Sequence, residues 1–427
     1  MLTFGTLIRS LTRDQRNTFI ASFLGWMLDA FDFFLVVLVL SRLASDFQTS
    51  VPRMASAITL TLMMRPLGAL IFGLLADRYG RRVPLMIDIA FYSAVELASA
   101  FAPSFGVFLI LRALYGIGMG GEWGVGSALV MESLPPASRG LFSGILQEGY
   151  AAGYLLAAAV YGLVFPHYGW RGMFVIGAAP ALLVFFIRSA VPESAVWRSA
   201  AKRSFSAVSD LRQAFASNAG LFVYAIALMT AFNFMSHGTQ DLFPTFLQKQ
   251  RGLGTAVVST LTIVMNVGAI FGGVFFGHLS QTLGRRRCII TAGIFGILAI
   301  PLWIWAPSIV LLGAGAFAMQ FMVQGAWGII PAHLNELSPA LVRGTFPGFT
   351  YQMGNLLSAG AAQLEASFAK KFPTVGGGVD YGLALSIIAL IVFAAVVTLT
   401  ALGKEARDVD FRAQAAGVLG AQRASPM

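Results

Sequence analysis

Asn233, His237 and Asp241 stand four residues apart in the stretch Asn233-Phe-Met-Ser236-His237-Gly238-Thr-Gln240-Asp241-Leu-Phe-Pro244-Thr245. On a helix that spacing lines all three along one face, with Ser236 and Gln240 in a second polar row beside them. The stretch interrupts an apolar run from about Leu221 to Leu247, long enough to cross a bilayer. An imidazole and a carboxylate at membrane depth are costly unless they face a partner or a water-filled cavity. A lone Ser or Asn in such a place is often helix–helix glue. A row containing two titratable groups asks for more, and reads as part of a pathway for a proton and a polar solute. One turn apart, His237 and Asp241 can bond one solute or pass one proton between them.

Other chemistry lies inside the apolar runs. Asp29 and Asp32 are one helical turn apart near the middle of the first, where two unpaired carboxylates cannot both stay ionised cheaply. Arg65 falls about halfway along the second, between Arg53 and Asp77. Its planar fork of donors suits a carboxylate. That carboxylate is either the solute's, with Asn233 and Gln352 as further donors, or an internal one on Asp29 or Asp32. Both pairings can hold in different conformations. Against these stand weaker signals. Gly116-Ile-Gly118-Met-Gly120-Gly121 matches a dinucleotide fingerprint, but it sits in an apolar run with no strand before it. Close helix packing explains it better, as for Gly268-x-x-x-Gly272 and Gly273-x-x-x-Gly277. His167, His237, His278 and His333 are dispersed, and no metal-ligand cluster, phosphate loop or nucleophile–base set is present in the sequence. No cofactor is expected, and energy must come from an ion gradient, here protons.

The elements that position these groups follow from composition. The chain has 427 residues, 57% hydrophobic and 11% charged, with mean hydropathy +0.75. Twelve apolar spans run end to end, at roughly 18–43, 54–76, 83–102, 106–131, 141–165, 171–190, 219–247, 256–279, 288–306, 309–333, 345–369 and 380–402. The first is too long, and too acidic at Asp29 and Asp32, for a cleaved signal. Of the 29 Lys and Arg residues, 20 fall on the side of the N-terminus and 7 on the other, with Arg65 and Arg112 inside the membrane. The positive-inside rule then makes both termini cytoplasmic. The net charge of +10 reflects that topology rather than nucleic-acid binding. Cys288 is the only cysteine, so no intrachain disulfide can form.

A shift of 204 residues aligns the chain with itself. Gly73 and Asp77-Arg78-Tyr-Gly80-Arg81-Arg82 fall on Gly277 and Gln281-Thr-Leu-Gly284-Arg285-Arg286. Ala102-Pro103-Ser104 falls on Ala306-Pro307-Ser308, Trp123 on Trp327, Glu132 on Glu336, and Asp29 on Asn233. Six spans per unit is an even number, so the repeats are parallel. The expected architecture is an all-α membrane protein of twelve transmembrane helices in two six-helix pseudo-repeats. Residues 1–190 form the first bundle, 191–217 a cytoplasmic linker, 218–403 the second bundle and 404–427 a cytoplasmic tail.

These motifs resemble those of the major facilitator superfamily. The residues that carry the likeness are Gly73 to Arg82 for the loop between spans 2 and 3, Arg112 to Gly120 in span 4, and Pro192-Glu193-Ser194 after span 6. The opening stretch is similar to the span 7 signature of lactate/pyruvate–proton permeases, in the sialate/monocarboxylate–proton symporter group. All eight fixed positions of that signature are present. The resemblance implies the major facilitator fold, with spans 1, 4, 7 and 10 lining a central cavity. It implies a secondary transporter in the inner membrane, monomeric, carrying a small organic monocarboxylate such as lactate or pyruvate with a proton. It gives Arg112 as the partner of the span 1 acids in proton coupling, with His237 and Asp241 also coupling. Gly73, Asp77, Arg78, Gly80, Arg81 and Arg82 become a gating motif, asymmetric because Gln281 replaces Asp77 in the second half. Substrate contacts fall to Arg65, Asn233, His237, Gln240, Asp241 and Gln352. Asp88 is placed to pair with Arg81 and Arg82, and Glu96 finds no role. A larger substrate, such as sialate or an aromatic acid, is the alternative within the class. A membrane sensor would need an output domain, for which the short tail leaves little room, and a membrane enzyme would need a catalytic constellation.

Overall fold

The computed structural model describes residues 4–200, 207–373, 378–414 and 416. Lys202, Arg203 and Arg423, which entered the charge count, lie outside them, as does much of the expected tail. The described chain is helical apart from one isolated bridge between Pro373 and Val379. In order, α1 is Arg13–Asp46, α2 Val51–Tyr79, α3 Arg82–Ala100 and α4 Phe105–Ser133. The short α5, Arg139–Gln147, leads into α6, Gly149–Ile176, and α7 is Ala181–Ala190. The second half contains α8 Ala207–Gln240, α9 Thr255–Leu283, α10 Arg285–Trp305, α11 Ile309–Trp327 and α12 Ile330–Leu337. It ends with α13 Phe346–Ser358, α14 Ala361–Ala369 and α15 Tyr381–Leu402.

Local chemistry sets the helix ends. Thr12 and Gln15 close α1 with a reciprocal capping box, side chain to backbone at 3.3 and 3.0 Å. The repeated Ala-Pro-Ser tripeptide is a helix start in both halves: Ser104 caps α4 and Ser308 caps α11. Gly80 and Gly284 end α2 and α9 with φ of 95° and 102°, a region costly for any residue with a Cβ.

Ten helical stretches among the described residues are long and apolar enough to cross a membrane. One of them, Pro136–Ala190, has 55 residues and would reach about 80 Å as one straight helix, far beyond a bilayer of about 30 Å. Its helical path breaks at Gly169, with φ 62° and ψ −167°, between the expected fifth and sixth spans. The expected eleventh span is divided into α13 and α14 by a turn at Ala359 and Gly360, so neither piece is long enough to count alone. The seventh span also differs from its sequence reading. α8 stops at Gln240, because Pro244 has no N–H to donate back to the Gln240 carbonyl. Asp241 therefore sits at the break rather than within a helix running to Leu247.

Packing follows the glycine pattern. α4 lies against α2 so closely that a Cβ on Gly116 would meet the Thr61 carbonyl oxygen at 2.2 Å, and one on Gly120 the Arg65 carbonyl oxygen at 2.0 Å. The fingerprint-like glycines thus seat two helices together and fix the backbone that carries Arg65. Gly140 and Gly144 of α5 meet Gly277 and Gly273 of α9 in the same way, joining the two halves of the chain. α13 also bridges the halves, packing on α2 and α4, and α12 does so against α4 and α5.

Candidate functional site

Arg65 stands in the middle of α2, only 3% exposed. Its guanidinium lies 5.9 Å from the centre of the Tyr351 ring of α13. Nε and Nη2 have no hydrogen-bond partner, and no carboxylate among the described residues lies within ion-pair distance. Tyr351 is boxed by Trp123 at 4.6 Å and Trp327 at 5.6 Å, tryptophans of the two halves that the 204-residue shift superimposes. Tyr150 extends the aromatic floor by stacking on Trp26 at 5.5 Å. Its charged neighbours include Arg65 and Asp29 from one half and Asp241 from the other, so these groups share one space.

The polar row of α8 borders that space. His237 Nδ1 and Asp241 Oδ2 are 3.0 Å apart, with side chains 40% and 30% exposed. Ser236 Oγ accepts from Trp327 Nε1 at 2.6 Å, and Gln240 Nε2 donates to Gln320 Oε1 at 2.9 Å. Asn233 is 5% exposed and donates to its own helix at Met229 O, 2.8 Å away. Gln352 Oε1 accepts from Asn355 Nδ2 at 2.9 Å, while its Nε2 is buried without a partner. So the structure brings His237 and Asp241 into contact. Asn233 and Gln352 are held by their own helices, and Gln240 by Gln320.

The acids of the first half are arranged differently from the expectation. Arg112 pairs with Glu96 at 2.7 Å and also donates to Ser99 Oγ; it makes no ion pair with Asp29 or Asp32. The reason is rotation. Arg112 is on the α3-facing side of α4, stacked among Phe108, Tyr115 and Phe174, and Glu96 of α3 is the acid it meets. Glu96, for which the sequence offered no role, is thus the counter-ion of a buried arginine. Asp29 accepts a backbone hydrogen bond from Tyr115 Oη at 2.9 Å, and Arg65 is its strongest charged neighbour. Asp32 has no partner on either oxygen and meets Glu96 at Gly177, where a Cβ would come 3.0 Å from Asp32 Oδ1 and 2.8 Å from Glu96 Cγ. Asp88 does not pair with Arg81 or Arg82. Both its oxygens are buried without a partner, because those arginines are turned to other acids and carbonyls.

At the arginine-bearing end the halves are latched. Asp77 Oδ1 accepts from Gly344 N at 2.7 Å, and Oδ2 from Thr345 N at 3.0 Å and Thr345 Oγ1 at 2.7 Å, all at the start of α13. Gly73 makes room: a Cβ there would lie 2.6 Å from Thr345 Cα. Arg81 bonds Asp77 at 3.0 Å and Glu132 at 2.8 Å, and its backbone N–H, with that of Arg82, donates to Glu193 at 2.8 and 3.1 Å. Arg78 stays outside, over the Tyr79 ring. The second half builds a related set: Arg285 bonds Glu336 at 2.9 Å, and Glu405 accepts from the backbone N–H of Arg285 and Arg286 at 3.2 and 3.0 Å. Gln281 Oε1 accepts from Gly140 N at 3.0 Å, a neutral counterpart of the Asp77 contact. The chain after α15 closes over this end, with buried Phe411 clamped between Arg139 and Arg343, 3.7 and 4.1 Å from its ring centre.

A family profile described as Major Facilitator Superfamily matches residues 22–362. The chain belongs to the Major Facilitator Superfamily. It is therefore a multi-pass integral membrane transporter rather than an enzyme. It is 31% identical to the carboxylic acid transporter protein homolog of Saccharomyces cerevisiae, over 90% of this chain and 67% of that protein. It is 28% identical to the sialic acid transporter NanX of Escherichia coli, over 90% of this chain and 93% of that one. Among solved structures it resembles the proton:xylose symporter XylE, with TM-score 0.74 and 17% identity, covering 94% of this chain and 98% of that one. At that identity the likeness is one of fold.

Within this major facilitator chain, sequence reasoning passed over the aromatic box and two acids. Trp123 and Trp327 carried a signal, their coincidence under the 204-residue shift, but Tyr351 carried none. Glu405, which does in the second half what Glu193 does in the first, falls off the 204-residue register because the last helix of the second half ends at Leu402, later than the shift from Ala190 would put it; each acid follows its helix end by three residues. Glu365 of α14 is 4% exposed, faces Gly238 of α8, and was not singled out.

Proposed function

We propose that this transporter carries a small organic monocarboxylate, such as lactate or pyruvate, together with a proton, by alternating access. The observation that carries the reading is Arg65: a buried guanidinium with two unpartnered nitrogens, set over an aromatic box that both halves build. A carboxylate entering such a site leaves water at a cost of several kcal/mol, which a two-pronged guanidinium contact offsets. The walls of the box are aromatic rings, which suit the carbon chain of such an acid. His237 and Asp241, in contact and half open, supply the titratable pair that couples a proton to that anion. The wider architecture is two parallel six-helix repeats, twelve crossings in all, with bundles at 1–190 and 218–403. The protein is a monomer in the inner membrane with both termini cytoplasmic, so the latched form described above is the outward-facing state. No cofactor is involved; the proton gradient supplies the energy.

A larger carboxylate is the second reading, favoured by the sialic acid named for NanX and by the cis,cis-muconate and niacin named for other relatives. Uptake of radiolabelled lactate, pyruvate and sialate into proteoliposomes separates the two. An inward proton gradient should drive lactate or pyruvate accumulation, and a protonophore should abolish it. Accumulation of sialate alone would move the assignment to the larger acids, and sodium dependence without a pH response would remove the proton from the mechanism.

A further inference from the structure

Glu365 lies in the middle of α14, 4% exposed, and neither carboxylate oxygen has a hydrogen-bond partner. It lies against α8 at Gly238, where a Cβ would be 3.7 Å from Glu365 Oε1, an ordinary contact distance. Gly238 follows His237 directly and precedes Asp241 by three residues, so the carboxyl meets α8 on the turn that holds the His237–Asp241 contact. The charged groups acting on Glu365 are Asp241 and His237, and those acting on His237 are Asp241 and Glu365. From α15 the side chains at Gly238 are Ile388 and Val392, both apolar. Among the described residues, His237 is therefore the one group of opposite sign acting on this carboxyl, and it already serves Asp241.

The three groups differ in access. His237 and Asp241 are 40% and 30% exposed, whereas Glu365 is shut in behind them. A carboxylate so enclosed is stable either beside a protonated imidazole or as the neutral acid. We propose that Glu365 is a proton-binding carboxyl of the transporter, loaded from water through the His237–Asp241 pair. Water delivers a proton to the open imidazole, Asp241 holds the imidazolium by its Nδ1, and the proton passes to a Glu365 oxygen. That step leaves a neutral imidazole and a neutral carboxylic acid, so the enclosed carboxyl carries no charge and the remaining negative charge stays on the more open Asp241. The proposal rests on the reading of the chain as a proton-coupled carboxylate carrier.

Purified full-length protein in weakly buffered detergent solution, with a pH indicator and added lactate, tests it. Wild type takes up protons as lactate binds. Glu365→Gln should lower that uptake at least about fivefold, the lower end of ordinary coupling between sites. Glu365→Asp, which keeps the acid but draws it back by one methylene, should retain uptake with its pH midpoint displaced. Full proton uptake in Glu365→Gln overturns the assignment. So does an unmoved midpoint in Glu365→Asp, which decides the matter even where Glu365→Gln cannot be purified. If wild type binds lactate and takes up no proton, the coupled reading itself falls and the proposal falls with it, a result told apart from the first two because no variant is needed to see it.

Discussion

Replacing Asp77 by Asn removes one charge from a buried contact that exists only while the arginine-bearing ends of the two halves touch. The carboxylate accepts four hydrogen bonds, from Arg81, from the backbone N–H of Gly344 and Thr345, and from the Thr345 hydroxyl. Each is a bond to a charged acceptor, a kind that contributes about 1.5–3 kcal/mol. An amide keeps one acceptor oxygen with its two contacts and turns an NH2 group toward the donors of the other two. The bonds to Gly344 and Thr345 cross between halves and are lost on opening, whereas the Arg81 bond stays within α2 and its loop. A loss of about 3 kcal/mol falls on the latched form alone, which is about a 150-fold shift toward the open one. A population of one open molecule in a hundred would then become the majority. Spin labels on cysteines placed at Tyr79 and Leu283 read this directly, since both residues are exposed, 52% and 48%, at matching ends of α2 and α9. Cys288, which is buried, is first changed to Ser. Asp77→Asn should add a longer inter-label distance that wild type lacks. Gln281→Asn loses one bond between the halves, the neutral one to Gly140 worth about 1 kcal/mol, its bonds to Arg285 and Asp408 lying within the second half, and should shift the distribution less than tenfold. Equal shifts from the two changes, or none from Asp77→Asn, would refute the charge-based account.

Two further substitutions test the buried cations. Arg65→Lys keeps the charge and loses the fork, and should weaken lactate binding measured by calorimetry by roughly 2–5 kcal/mol, as when a buried charge pair is broken; unchanged affinity removes Arg65 from the substrate site. Glu96→Gln leaves Arg112 without its counter-ion inside the membrane and should cost about 3–5 kcal/mol of stability, seen as a lower melting temperature in detergent. Adding Arg112→Gln should restore much of that loss, and a double variant no more stable than Glu96→Gln would show that the pair is not what holds α3 to α4.

How much of this was legible in the chain depended on the direction in which each relation runs. Relations along the chain were open to reading. The 204-residue shift named Gly80 and Gly284, Ser104 and Ser308, and Glu132 and Glu336. Each proves to be a turn, a cap or an ion-pair partner, because such roles are set by near neighbours whose order the sequence records. The i, i+4 spacing placed His237 and Asp241 side by side for the same reason, at a contact of 3.0 Å. Even here Pro244 intervened, ending α8 one residue before Asp241.

Relations across helices were not open in the same way, because they depend on how each helix is rotated about its axis. Apolar residues surround every span, so the hydrophobic pattern that orients a helix in a soluble protein is weak here. Arg112 could have met Asp29, Asp32 or Glu96 on spacing alone. The aromatic collar of Phe108, Tyr115 and Phe174 turns it to Glu96, and none of those rings is distinguished in a chain with 36 phenylalanines. Glu365 was hidden for a related reason. Its meaning lies in its place against Gly238, beside the His237–Asp241 turn, and a glycine next to a histidine does not by itself say which side chains from other helices will lie there. The glycines therefore carry cross-helix information that the polar residues lack. Where a Cβ would strike a carbonyl, as at Gly120 against Arg65, the glycine marks two backbones in contact. Where it would meet the end of a charged side chain, as at Gly80 against Glu193, it marks a place kept open for that charge.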